Sequence, residues 1–121
     1  MATKKILVVD DSPTDLRLMI NALQNRGYKV ITAIDGEEAL DKASQERPDL
    51  LVLDVVLPKK NGFQVCRQLK TAPDTKDIKI ILVTSKDQVT DRFWGLKQGA
   101  DEYLTKPFED KELIALVAKH A

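Results

Sequence analysis

The 121-residue sequence is poor in the residues that staple small or extracellular proteins. It has one cysteine, Cys66, and one histidine, His120, so it can form no internal disulfide and no Cys/His zinc site, which fits a reducing compartment. Lys plus Arg and Asp plus Glu stand at 19 each, a formal net charge of zero, so no whole-molecule field draws the chain to nucleic acid or to a membrane surface. Long hydrophobic runs are also missing. The first apolar stretch, Ile6 to Val9, meets Asp10 and Asp11 at once, too short for the apolar region of a signal peptide and far too short for a membrane span. The expectation is a cytoplasmic protein with no membrane insertion and no nucleic-acid partner. With only five glycines and five prolines there is no linker or low-complexity stretch, and one domain over residues 1–121 is expected, with no room for an output domain.

What is present is a globular balance, 43% hydrophobic against 31% charged residues, arranged as short apolar runs alternating with amphipathic segments. That is the pattern of βαβ units around a parallel sheet. The runs are Ile6–Val9, Tyr28–Ala33, Leu50–Leu53, Ile78–Val83 and Glu102–Leu104. Between the first two, Leu16, Met19, Ile20 and Leu23 form one helical stripe. Ser12 caps it, Pro13 suits the first helical position, Asp15 stands in a capping-box position and Gly27 stops it. A second helix starts at Asp35-Gly36-Glu37-Glu38 and closes at Pro48. Three more are predicted from about Gly62 to Lys70, from Gln88 to Gln98 with Val89, Phe93 and Leu96 as its apolar stripe, and from Asp110 to Lys119.

Parallel strands end along one edge of the sheet, where open α/β sheets bind ligands. Here the runs end in Asp10-Asp11, Asp54, Thr84-Ser85 and Thr105-Lys106-Pro107. Each residue alone suits an ordinary turn or a solvated charge. Together, three carboxylates and one ammonium leave about −2 in a confined site, which a divalent cation would balance. Oxygen-only ligands with open positions suit Mg²⁺, with Mn²⁺ as a substitute, and Mg²⁺ shares its shell with phosphate oxygens. A carboxylate can attack phosphorus, and Asp54, at the end of the hydrophobic run LLVLD, is best placed to become an aspartyl phosphate. Asp10 and Asp11 would hold the metal, and the Thr84 hydroxyl and Lys106 ammonium would meet the phosphoryl oxygens.

In order and in spacing, LVVDDS, LLVLDVVLPKKNG, ILVTS and EYLTKPF resemble the motifs of the receiver domain of two-component response regulators. The resemblance implies a flavodoxin-like, doubly wound α/β fold with five parallel strands in the order 2-1-3-4-5 and five helices. It implies that Asp54 is phosphorylated by a sensor histidine kinase, that Asp11 and Asp54 bind Mg²⁺ directly beside Asp10, and that the Val56 carbonyl completes the protein ligands. It also implies a cis Lys106-Pro107 peptide, Tyr103 as an aromatic switch coupled to Thr84, and an output surface on the fourth helix, fifth strand and fifth helix that includes Trp94 and Tyr103. The protein would be a signalling switch that catalyses its own phosphorylation and dephosphorylation, a monomer or weak dimer, rather than an enzyme acting on an external substrate.

Two positions depart from the flagellar chemotaxis pattern. Val56 replaces an amide side chain and Lys86 an acid, and both flank the attacking water, so slower self-dephosphorylation is expected. The segment TSKDQVTDRFWGLKQGADEYLTKPF is similar to stand-alone regulators in chemotaxis-like systems for pilus-driven motility or phototaxis, implying a chemotaxis-kinase-like partner; the alternative is a phosphate shuttle or sink in another pathway. An aspartate-nucleophile phosphatase would need a second acid where Val56 stands. A flavin carrier would need a phosphate loop where the two aspartates stand. Of the remaining conspicuous residues, Phe93 and Trp94 point about 100° apart, so at most one can face the core squarely. Cys66 reads as a buried small hydrophobe, and His120, Lys59 and Lys60 as solvated.

Overall fold

In the computed structural model, which describes residues 3–85 and 89–121, five strands and five helices alternate without exception. They are β1 (Lys5–Val9), α1 (Pro13–Gln24), β2 (Lys29–Ala33), α2 (Gly36–Glu46), β3 (Leu50–Asp54), α3 (Gly62–Thr71), β4 (Lys79–Thr84), α4 (Val89–Lys97), β5 (Glu102–Thr105) and α5 (Asp110–His120). All pairings are parallel and the order is β2-β1-β3-β4-β5. The strand order reverses between β1 and β3, which opens a crevice at their carboxyl ends.

Side-chain alternation along the strands builds two cores. Leu7, Val9, Leu51, Leu53, Ile80 and Leu82 face one side and pack with Ala39 and Ala43 of α2 and Val65, Cys66 and Leu69 of α3. Ile6, Val8, Leu50, Val52, Ile81 and Val83 face the other, against Met19 and Leu23 of α1 and Leu113 and Val117 of α5. Every residue of β3 is buried, which explains its unbroken aliphatic run: a strand covered on both faces has no polar side to alternate with. Each fully buried Leu, Ile or Val contributes about 1.5–3 kcal/mol.

Helix starts follow local chemistry. Ser12 caps α1, Asp35 caps α2, and Asn61 forms with Gln64 a reciprocal capping box on α3. The box expected at α1 is only half formed: the Ser12 hydroxyl accepts the Asp15 N–H at 3.3 Å, but the Asp15 carboxylate turns to Lys106 instead. Helix α4 also differs from its predicted stripe. Phe93 and Leu96 are exposed at 64% and 44%, as is Trp94 at 50%, so neither aromatic of the Phe93-Trp94 pair is in the core. The buried face runs through Gly95, where a Cβ would press on the Leu82, Tyr103 and Phe63 side chains and make them shift, so glycine lets the helix approach closely.

Candidate functional site

The ends of β1, β3, β4 and β5 converge on one crevice. Register aligns them: Val9 pairs with Leu53, Asp54 with Val83, and Thr84 with Thr105. Asp10 and Asp11 therefore stand one and two residues past β1 beside Asp54, while Thr84 lies one position beyond Asp54's partner on the same edge. The Lys106 N–H donates to the Thr84 carbonyl at 2.8 Å, which ties the β5 end to the β4 end.

Asp10 has no exposed surface, and both its oxygens are engaged: Oδ1 accepts the Ser12 N–H at 2.9 Å and Oδ2 accepts Lys106 Nζ at 2.7 Å. Asp54 is 8% exposed; its Oδ1 accepts the Val56 N–H at 3.3 Å and its Oδ2 lies 3.5 Å from Lys106 Nζ. Asp11 is exposed at the mouth. One carboxylate oxygen from each of Asp10, Asp11 and Asp54 lies within 4.8 Å of the others. Three oxygen donors from carboxylates, one of them open to solvent, fit a hard divalent cation such as Mg²⁺. The loop after β3 closes down on Asp54 because Gly62 lets the backbone pass: a Cβ there would overlap the Asp54 carbonyl oxygen.

The electrostatics register the crowding. Burial pushes the Asp54 carboxyl from 3.8 up to about 6; the Lys106 charge pulls it down and the Asp10 charge pushes it up again. Burial alone would lower Lys106, but its hydrogen bonds to Asp10 and Asp15 and the charges of Asp54 and Asp10 hold it above the ordinary lysine value, so it stays cationic at neutral pH.

Sequence reasoning missed one member of this site. Asp15 Oδ2 lies 2.9 Å from Lys106 Nζ, as close a partner as Asp10. Its capping-box spacing hid it, since Ser-x-x-Asp at a helix start already has a structural explanation. Counting it, the described residues bring four carboxylates to the site, three of them within 3.5 Å of the one ammonium, and the ionised site carries about −3 rather than −2.

The other predicted residues fall as follows. Thr84 is buried at the edge. Val56 is 55% exposed beside Asp54, and Lys86 lies outside the described residues. The Lys106-Pro107 peptide is cis. Tyr103 is only 4% exposed, held under α4 with the Arg92 guanidinium 5.3 Å from its ring centre and Arg92 Nη1 donating to its carbonyl at 3.1 Å. Of the two residues expected at an output surface, Trp94 thus lies on the surface and Tyr103 beneath it. Cys66 is buried as expected, and burial raises its thiol to about 12. His120 is not solvated: Nε2 meets Glu102 Oε1 at 3.0 Å and its side chain is 17% exposed, because the C-terminal end of α5 comes beside Glu102 at the start of β5. Lys59 also has partners, Asp35 at 3.7 Å and Glu37 at 3.8 Å, and Lys60 Nζ donates to Gln68 Oε1 at 3.1 Å.

Comparison with known proteins agrees with this fold. Residues 6–118 match the response regulator receiver domain. The alkaline phosphatase synthesis transcriptional regulatory protein PhoP of Bacillus subtilis is 51% identical over 114 residues, 94% of this chain and 47% of that protein, so the chain spans about half the length of this relative. Protein PilH of Pseudomonas aeruginosa is 43% identical over 113 residues, 93% of each chain. Among solved structures, the receiver domain of the sensor histidine kinase PA1611 of Pseudomonas aeruginosa, with a magnesium ion coordinated in its active site cleft, superposes with a TM-score of 0.90 at 29% identity, covering 98% of both chains.

Proposed function

The chain belongs to the response regulator receiver domain family of two-component signalling, and from that premise we propose that Asp54 is its phosphoacceptor and that phosphorylation switches a protein-interaction surface. The observation that carries the reading is the position of Asp54: a buried carboxylate at the end of the central strand, grouped with Asp10 and Asp11 and 3.5 Å from the Lys106 ammonium. A phosphorylated histidine of a sensor kinase is the natural donor. An Asp54 oxygen attacks phosphorus, the P–N bond breaks as the P–O bond forms, and the imidazole leaves and takes up a proton. Asp11 and Asp54 would hold Mg²⁺ directly, with the Val56 carbonyl as a further ligand and Asp10 adding charge while its own oxygens stay bound to Ser12 and Lys106. When bound, Mg²⁺, or Mn²⁺ in its place, neutralises carboxylate and phosphoryl charge.

Lys106 brings its positive charge to the phosphoryl oxygens and Thr84 its hydroxyl. Converting Asp54 to an acyl phosphate changes its charge from −1 to about −2, and the changed demand on Thr84 is read by Tyr103 and by the α4 surface bearing Trp94. The chain is thus a self-modifying switch rather than an enzyme with an external substrate. Among the described residues no helix is long and apolar enough to cross a membrane, and a cytoplasmic location fits the kinase partner proposed here. The likeness to PilH supports service under a chemotaxis-type kinase in pilus-driven motility.

Intact-mass measurement after incubation with Mg²⁺ and a small-molecule phosphodonor tests the reading. Wild type is expected to gain one phosphoryl group and Asp54→Asn none. A wild type that gains no mass from any donor, or an Asp54→Asn chain that gains as much, overturns it.

A further inference from the structure

The Lys106 ammonium has three N–H groups and, among the described residues, three carboxylates around it, but the three are unequal. Asp10 at 2.7 Å and Asp15 at 2.9 Å are close, and Asp54 at 3.5 Å is the remote one. The same lysine is the cation that the proposed chemistry requires at Asp54. We propose that Asp15 is a positioning residue that holds Lys106 off Asp54 at rest, so that phosphorylation must draw the ammonium away from Asp15. The inference rests on the phosphoacceptor reading of Asp54.

Two features make Asp15 the partner that yields. Asp10 is sealed, with no exposed surface and a second hydrogen bond to the Ser12 N–H, so it anchors the ammonium in both states. The Asp15 side chain is 40% exposed and stands on the first turn of α1, at a cavity it lines together with Lys106 and Asp110, where water can replace the lysine. Releasing Lys106 from Asp15 therefore costs less than releasing it from Asp10. An acyl phosphate offers a stronger claim than the original carboxylate, about −2 against −1, and takes the freed N–H.

The contact slows phosphorylation because part of the ammonium's hydrogen-bonding capacity is committed elsewhere before the transition state. Decay of the acyl phosphate is less affected, since Lys106 has already moved in that state and gains little more on the way to hydrolysis. The signature is faster phosphorylation with nearly unchanged decay.

The test follows acyl-phosphate formation and decay by intact mass at saturating Mg²⁺, with acetyl phosphate as donor. Asp15→Asn should speed formation by about three- to tenfold, the scale of the net worth of one hydrogen bond, and change decay by less than about twofold. Asp15→Glu, which keeps the charge and the reach, should form the phosphate at close to the wild-type rate. Asp110→Asn removes a charge from the same cavity and should change formation by less than about twofold, which separates pairing from simple repulsion of the anionic donor. In a Lys106→Met chain, adding Asp15→Asn should give no further acceleration.

Formation by Asp15→Asn within twofold of wild type, equal acceleration by Asp110→Asn, or undiminished acceleration without Lys106 overturns the proposal. A wild type that never gains a phosphoryl group instead overturns the reading of Asp54, a result that the Asp15 variants alone cannot produce.

Discussion

Replacing Asp54 by asparagine keeps the shape of the side chain and removes its charge. The buried carboxyl stands at about 6 in the folded protein against 3.8 in an unfolded one, so ionising it at neutral pH costs the native state about 3 kcal/mol. The amide oxygen of asparagine can still accept the Val56 N–H, and the 3.5 Å approach to Lys106 is longer than that lysine's contacts with Asp10 and Asp15. Little is forfeited, and a net stabilisation of about 1–3 kcal/mol is expected in magnesium-free buffer at pH 7.5, or a rise of roughly 3–10 °C in Tm for a domain of this size. The dependence on pH has a definite sign. A carboxyl with a raised folded pKa contributes stability that is fully present below the unfolded value and lost as the pH rises through the folded one. The advantage of Asp54→Asn should therefore fall by about half between pH 7.5 and pH 5, where the wild-type group is mostly protonated in the native state, and nearly vanish towards pH 4. Urea unfolding monitored by circular dichroism, with a chelator present, measures this. Adding Mg²⁺ should narrow or reverse the order, since a ligand at ten times its Kd stabilises the native state that binds it by about 1.4 kcal/mol. An Asp54→Asn chain no more stable than wild type at pH 7.5 without metal, or an advantage that stays constant down to pH 5, refutes the reasoning.

Three further outcomes follow from single sites. Asp101 accepts the Ile80 N–H at 2.8 Å and Lys70 Nζ at 2.9 Å, and although its burial opposes ionisation these partners hold its carboxyl below the ordinary range. Asp101→Asn should cost about 1–3 kcal/mol at pH 7 in urea unfolding, and the loss should shrink as the pH falls through the lowered folded pKa. Cys66, with its thiol near 12, should ignore a disulfide reagent at pH 8, where only about one thiol in ten thousand is ionised, and react within minutes once urea exposes it; rapid labelling of the native protein counts against the packing described. The acyl phosphate should decay faster in Val56→Asn, whose amide can orient the attacking water beside Asp54, and in Lys86→Glu; unchanged decay in both variants, followed by intact mass, removes the proposed basis for a long-lived signal.

Much of this arrangement was legible because its physics is one-dimensional. A strand buried on both faces reads as a solid aliphatic run, and LLVLD and KIILVT mark β3 and β4 without reference to anything distant. Parallel pairing then sends every strand end to the same edge, so Asp10, Asp11, Asp54, Thr84 and Lys106 could be grouped from their positions relative to the runs. The glycine and proline punctuation is local for the same reason: Pro13 and Gly62 stand at the first residue of α1 and α3, and Gly27 follows the last residue of α1, Gln24, by three.

What stayed hidden depends on contacts across the fold. Helix α4 carries its aromatics outward because Gly95, the residue with least apolar surface, fits the space between Leu82, Tyr103 and Phe63; periodicity counts hydrophobic side chains and cannot register a helix docked on a glycine. His120 pairs with Glu102, eighteen residues away, only because the fold brings the C-terminal end of α5 beside the start of β5. Asp15 has the most consequence. From the sequence it belongs to α1 and to Ser12, three residues before it, and nothing local separates a capping carboxylate from one that reaches Lys106 ninety-one residues later. The distinction appears only when α1 and the β5–α5 loop close over the same crevice. The carboxylate then faces an ammonium already shared between two others, and a residue that looked like helix punctuation becomes a competitor for the charge at Asp54.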